Sequence, residues 1–248
     1  MLVHFSKYHG TGNDFVMIDG RQLNADFLDQ KRIQRLCHRR FGIGADGLII
    51  LGKSESHPFA MRYYNADGRE GTMCGNGGRC IMAFARRLGI AGNEASFVGI
   101  DGIHHARMLD NGLIRLKLKD VEGVNRLGDG YLVDTGSPHF VRFVSDLDQV
   151  DMETMGKEIR HQERFGQEGV NVNFVQVIDE GNVLIRTYER GVEAETLACG
   201  TGVAAAALLT AVWGLTTSPV TVITLSGEKL AVHLDPSDPG HGGTPVPA

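Results

Sequence analysis

Residues 11–77 and 135–202 carry the same landmarks at the same spacing, and this internal duplication constrains the fold more than any other feature of the chain. Thr11-Gly12 recurs as Thr135-Gly136 and Arg40-Phe41-Gly42 as Arg164-Phe165-Gly166, both shifted by 124 positions (135 − 11 and 164 − 40). Tyr64 returns at Tyr188 with the same shift. Cys74-Gly75-Asn76-Gly77 returns as Cys199-Gly200-Thr201-Gly202 with one residue inserted, since 199 − 74 is 125. Glycine-rich turns resemble one another by chance, but four matches in one register do not. The chain therefore reads as two homologous domains, at 1–112 and 113–234. A tail at 235–248 follows, in which Pro236, Pro239, Pro245 and Pro247 stand among glycines and disorder is expected. The join falls beside Asn111-Gly112, a strong hairpin signal between 104–109 and 113–119, where Ile114, Leu116 and Leu118 alternate with Arg115, Lys117 and Lys119.

Secondary-structure signals follow the duplication. A helical pattern precedes each Arg-Phe-Gly, over Asp26 to Arg39 and Met152 to His161, and a strand follows each, over Leu48 to Leu51 and Val170 to Ile178. Each Cys-Gly-x-Gly then opens a further helix, over Arg79 to Leu88 and Val203 to Val212. Gly42-Ile43-Gly44-Ala45-Asp46-Gly47 fits Gly-x-Gly-x-x-Gly, but it follows a helix and opens a strand. A dinucleotide fingerprint does the reverse, so no nucleotide is expected.

Composition excludes several functions. A formal net charge of −5 with scattered Lys and Arg leaves no basic stripe for nucleic acid. The apolar stretch Val203 to Leu215 is too short to span a bilayer and reads as a buried helix. The N-terminal residues lack the apolar core of a secretory signal, so the cytoplasm is the expected location. Cysteines at 37, 74, 80 and 199 show no Cys-x-x-Cys and no zinc-type His spacing, so reduced thiols and no metal are expected. Cys37 and Cys80 read as small buried hydrophobes.

Cys74 and Cys199 differ from these because each stands at a helix N-terminus. The amides and dipole there favour negative charge and lower a thiol pKa, but the dipole supplies only about 1 kcal/mol, less than one pKa unit. One thiolate and one thiol is the state that results. Racemisation by two bases requires that mixture, because one group takes a proton from one face of a carbon while the other gives one to the opposite face. The amides of Gly75, Asn76, Gly200 and Thr201 can cradle the substrate carboxylate while a carbanion develops.

These residues resemble the diaminopimelate epimerase family over most of the chain. The resemblance spans Gly10-Thr11-Gly12-Asn13-Asp14-Phe15, residues 41–47, Asn65-Ala66-Asp67-Gly68, Cys74-Gly75-Asn76-Gly77, and Glu189-Arg190-Gly191 leading into Ala198-Cys199-Gly200-Thr201-Gly202. It implies an α+β fold of two homologous domains related by pseudo-two-fold symmetry. Each would be a mixed, mostly antiparallel sheet curled around a central helix, with the active site in the cleft between them. It implies a cofactor-independent epimerase that interconverts LL- and meso-diaminopimelate in lysine and peptidoglycan precursor biosynthesis, and a homodimer without nucleic-acid or membrane partners. Cys74 and Cys199 would be the catalytic thiols, with Asn13, Asn65, Asn171, Glu189 and Arg190 among the substrate-binding residues and His139 and Glu189 tuning the thiols. Arg190 suits a distal carboxylate, which a guanidinium binds bidentately. Gly47, Arg69 and Ser137 depart from the family pattern, and the tail lacks its usual closing strand. A proline-racemase-like enzyme uses the same pair of thiols, and Glu189-Arg190 argues against it. A catalytically silent binding protein of this fold, or a redox switch in which Cys74 and Cys199 couple, is the reading from another class, and retention of both thiols argues against a silent protein.

Overall fold

The computed structural model describes residues 2–23 and 28–235. The chain divides between Lys117 and Leu118 into two units. The first contains β1 (Ser6–Gly10), β2 (Asn13–Asp19), α1 (Gln30–Cys37), β3 (Gly47–Gly52), β4 (Phe59–Asn65), β5 (Glu70–Gly71), α2 (Gly75–Arg87), β6 (Glu94–Gly99), β7 (Gly102–Met108) and β8 (Ile114–Leu116). The second contains β9 (Val124–Leu127), β10 (Gly130–Asp134), β11 (Pro138–Phe143), α3 (Lys157–Arg160), β12 (Asn171–Asp179), β13 (Asn182–Glu189), β14 (Ala194–Thr196), α4 (Gly200–Val212), β15 (Val220–Ile223) and β16 (Lys229–Val232). The join expected at 112/113 lies in the β7–β8 turn. Since β8 pairs with β7, it goes with the first unit.

Among the described residues each unit forms one eight-stranded sheet, ordered β1-β2-β3-β4-β6-β7-β8 with β5 on β4, and β9-β10-β11-β12-β13-β15-β16 with β14 on β13. Leaving aside β8 at the end of the first sheet and β9 at the start of the second, the pairings match one for one, with β1–β7 answering β10–β16. β2–β3 and β4–β6 are parallel, as are β11–β12 and β13–β15, and all the rest are antiparallel. Register matches as well: Phe15 lies opposite Gly47 and His139 opposite Asn171, and 139 − 15 and 171 − 47 are both 124. Tyr64 lies opposite Glu70 and Tyr188 opposite Glu195, so the inserted residue falls in the turn after β13. Parallel neighbours need a crossover, and α1, α2, α3 and α4 provide the four.

Each sheet is covered on both faces. Phe15, Met17, Ile49, Leu51, Met61 and Phe97 pack against Cys80, Ile81, Phe84 and Ala85 of α2, while Val16, Ile18, Leu48 and Tyr64 point the other way, against Ile33 and Cys37 of α1. In the second unit Val141, Val175, Val183 and Ile185 face α4, and Phe140, Val172, Phe174 and Tyr188 face the layer that holds Ile159. Helix α2 touches β1 at one edge of its sheet and β8 at the other. Seven strands about 4.8 Å apart span roughly 29 Å when flat, whereas a helix is about 10 Å across, so the sheet must curl around it. Helix α4 is buried on nearly every side by Val203, Ala204, Ala205, Ala206, Ala207, Leu209 and Thr210, as its lack of a polar face requires.

Two helices differ from expectation. α1 ends at Cys37 because the carbonyls of Leu36 and Cys37 accept from the amides of Ile43, Gly44 and Ala45 in the loop that folds back on it; Asp26 lies outside the described residues. The helix expected over Met152 to His161 is a π-helical turn, Met152–Gly156, followed by the single turn of α3. Gly156 is pressed against β13, where a Cβ would lie 2.7 Å from that of Tyr188. Of the expected tail, only Asp235 lies within the described residues.

Candidate active site

In both units a cysteine caps a thirteen-residue helix with extended backbone. Cys74 has φ −92° and ψ 130° ahead of α2, and Cys199 has φ −113° and ψ 114° ahead of α4. The first intrahelical bonds run from Gly78 to the Cys74 carbonyl and from Val203 to the Cys199 carbonyl, so the amides of 75–77 and 200–202 stand at the positive helix ends. Glycine is needed in each motif because the helix starts against its own sheet. A Cβ on Gly77 would come 2.9 Å from Ile49 Cδ1, and one on Gly202 would come 2.5 Å from Asn173 Oδ1.

In the first unit an acceptor faces the sulfur. Cys74 Sγ donates to Asn13 Oδ1 at 3.6 Å, and Asn76 Nδ2 donates to the same oxygen at 3.5 Å. The Asn13 amide is oriented from behind, where its Nδ2 donates to Asp46 Oδ2 at 3.0 Å. Arg39 in turn bridges Asp46 and Asp14 at 2.6 and 2.9 Å. Burial alone would raise the Asp14 carboxyl, but hydrogen bonds from Arg39, Lys7 and the Asp46 amide outweigh it and hold the group well below the usual carboxylate range. Asn76 is fixed by Thr11 and by Arg79, which reaches its Oδ1 at 2.6 Å. Asn65 is exposed at the end of β4, and its Oδ1 accepts from Tyr63 at 2.7 Å. Tyr63 also explains Gly47, since a Cβ there would lie 2.7 Å from the ring. Arg69 is exposed in the turn after β4, paired with Asp67.

In the second unit a donor can face the sulfur. Thr201 Oγ1 lies 3.4 Å from Cys199 Sγ and 2.8 Å from His139 Nε2, with Ser137 Oγ 3.0 Å from the same ring nitrogen. His139 is fully buried, which pushes its pKa down from 6.5 to about 4 and keeps the ring neutral. Behind it Asn173 Nδ2 contacts His139 Nδ1 at 3.0 Å, and Thr187 donates to Asn173 Oδ1 at 3.0 Å. Equivalent positions of the first unit hold Phe15, Ile49 and Tyr63, where the Phe15 and Tyr63 rings meet edge-on at 5.9 Å. Two aromatic rings and an isoleucine in one copy are thus a polar trio of histidine, asparagine and threonine in the other.

The sequence signature described as diaminopimelate epimerase matches residues 5–121 and 131–238. The chain belongs to the diaminopimelate epimerase family. It is 50% identical over 230 residues to the diaminopimelate epimerase of Flavobacterium psychrophilum, covering 92% of this chain and 90% of that one. Identity to the diaminopimelate epimerase of Chlorobaculum tepidum is 45% over 231 residues, covering 90% of each. The fold is similar to that of a probable proline racemase from Agrobacterium radiobacter, with a TM-score of 0.64 at 15% identity over 92% of this chain and 83% of that one.

As a diaminopimelate epimerase family member, the first unit gathers Asn13, Cys74 and Asn76, and the second gathers Ser137, His139, Asn171, Cys199 and Thr201. Asn171 is buried, and its amide braces the neighbouring chain: Nδ2 donates to Ser137 Oγ and the Pro138 carbonyl at 3.2 Å, and Oδ1 accepts from the Arg190 amide at 2.9 Å. Glu189 ends β13 and Arg190 opens the inserted turn that Glu193 holds. Glu193 adopts φ +58° and accepts from Arg160 at 2.9 Å and from the Gly191 amide at 3.0 Å. Sequence reasoning passed over Asp46, Asn173, Thr187 and Glu193. For Asn173 a signal existed: Asn171 and Asn173 fall on one face of a strand otherwise rich in apolar residues. Among the described residues no helix is long and apolar enough to cross a membrane, and no His, Cys, Asp or Glu side chains cluster in a way that could hold a metal ion.

Proposed function

We propose that the chain interconverts LL- and meso-diaminopimelate by a two-base mechanism in which Cys74 and Cys199 are the acid and base. The observation that carries this reading is that each copy of the repeat places a cysteine at the N-cap of a thirteen-residue helix. A thiolate takes the α-hydrogen as a proton, and the electron pair of the broken C–H bond moves into the α-carboxylate. The other cysteine then gives its proton to the opposite face, so the configuration inverts and the charge ends on the second sulfur. The amides of Gly75, Asn76, Gly200 and Thr201 stabilise the charge that develops on the carboxylate.

Asn13, Asn65, Glu189 and Arg190 hold the distal ammonium and carboxylate, and Asn171 supports them by fixing the Arg190 backbone. Glu189 and His139 adjust the thiols. The enzyme works in the cytoplasm as a homodimer, without a cofactor. Purified protein incubated with LL-diaminopimelate in heavy water, without pyridoxal phosphate, takes deuterium into the α-position as the meso form accumulates, while proline stays inert. Deuterium exchange on proline and none on diaminopimelate would overturn the assignment.

A further inference from the structure

We infer that Asn173 is a positioning residue that fixes His139 as the neutral tautomer protonated at Nε2. The imidazole then serves Cys199 as a hydrogen-bond donor relayed by Thr201, and not as a base that takes the thiol proton. The inference rests on the proposed function in that Cys199 must be one of the working thiols.

The amide of Asn173 has only one workable orientation. Its Nδ2 lies 3.2 Å from the Phe140 carbonyl, which accepts only, while its Oδ1 receives the Thr187 hydroxyl at 3.0 Å. The atom that faces His139 Nδ1 at 3.0 Å is therefore the amide nitrogen, a donor. A proton on Nδ1 would meet that N–H head-on, so Nδ1 carries the lone pair and Nε2 the hydrogen. An imidazolium would need both ring nitrogens to donate and would be fully buried.

The rest of the cluster then orders itself. Nε2–H donates to Thr201 Oγ1 at 2.8 Å, its shorter contact. Asn171, turned by the Arg190 amide, donates to Ser137 Oγ, and the Ser137 hydroxyl has Thr201 Oγ1 at 3.2 Å as its acceptor. The Thr201 hydroxyl hydrogen is directed at Cys199 Sγ, 3.4 Å away. A donor aimed at sulfur stabilises a thiolate. The first unit presents the opposite arrangement, a carbonyl oxygen of Asn13 that accepts from the Cys74 thiol.

Nitrogen NMR of enzyme labelled in its histidine rings tests this, with the His139 signal assigned by its loss in His139→Gln. At pH 7 the ring hydrogen should couple to Nε2, with Nδ1 resonating as a bare nitrogen; a hydrogen on Nδ1, or on both nitrogens, overturns the inference. Asn173→Asp offers Nδ1 only acceptors, so the hydrogen should move to Nδ1. kcat on diaminopimelate should then fall about tenfold, the scale of one well-placed hydrogen bond, with KM changed less than about twofold. A ring hydrogen that moves while kcat stays put overturns the relay. The wild-type spectrum decides the tautomer even if the variant fails to fold. Wild-type enzyme with the Nε2–H tautomer but no α-hydrogen exchange on diaminopimelate overturns the proposed function instead, and leaves the tautomer standing.

Discussion

The fully buried His139 makes the second unit acid-sensitive in a way that can be measured. Its pKa falls from 6.5 to about 4 on folding, chiefly through burial, with Asp134 and Arg190 acting in opposite directions. The Asn173 amide nitrogen, which faces Nδ1 as a donor, favours the neutral ring. A depressed pKa on a base means that the unfolded chain takes up a proton that the folded chain refuses. The stability is present in full above about pH 6.5 and is lost as pH falls toward 4, at about 1.4 kcal/mol per pH unit. Between pH 7.5 and 4.5 the loss is therefore about 3 kcal/mol. The single tryptophan, Trp213, packs on Tyr131 at 5.1 Å in the same unit, so its fluorescence reports on the unit that holds the histidine. Urea midpoints at the two pH values, for the wild type and for His139→Gln, isolate the effect because all other titrating groups cancel in the difference. The wild type should lose about 3 kcal/mol more than the variant over this interval. Parallel losses would refute the reasoning.

Cys74→Ala and Cys199→Ala should each abolish epimerisation while circular dichroism and the melting temperature stay near wild type; normal turnover in either folded variant counts against two bases. Asp46→Ala removes the acceptor that orients the Asn13 amide. It should lower kcat about tenfold yet cost less than about 1 kcal/mol in urea unfolding, since the ion pairs it breaks are partly exposed. Glu193→Gly relieves a left-handed residue by about 1 kcal/mol but strands the Arg160 guanidinium, whose side chain is only 9% exposed. Leaving a largely buried cation without its carboxylate outweighs that relief even though Glu193 itself is 41% exposed, so the variant should melt lower, and a higher melting temperature would show that backbone strain dominates.

The duplication and the two capping cysteines were legible because they are local: each motif lies within a few residues, and one spacing repeats. The paired registers of β2–β3 and β11–β12 keep that spacing to the residue. The polar trio was not legible as a group. His139, Asn173 and Thr187 meet only when three strands are laid side by side, and a polar residue at 173 on an apolar strand marks a buried polar position without naming the partners it meets. Asp46 was hidden for the same reason, being 33 positions from the Asn13 it orients. The helix expected over Met152 to His161 failed at Gly156, where close packing on Tyr188 decides the backbone and periodicity does not.

A flat imidazole stands in the second unit where the first has a benzene ring, on the same rung of the same ladder, with an amide where an isoleucine stood. The backbone did not have to be rebuilt for the two copies to become chemically unlike. Such a scaffold can diverge one side chain at a time, each step leaving a protein that still folds, which is how a tandem copy acquires a task its twin cannot perform.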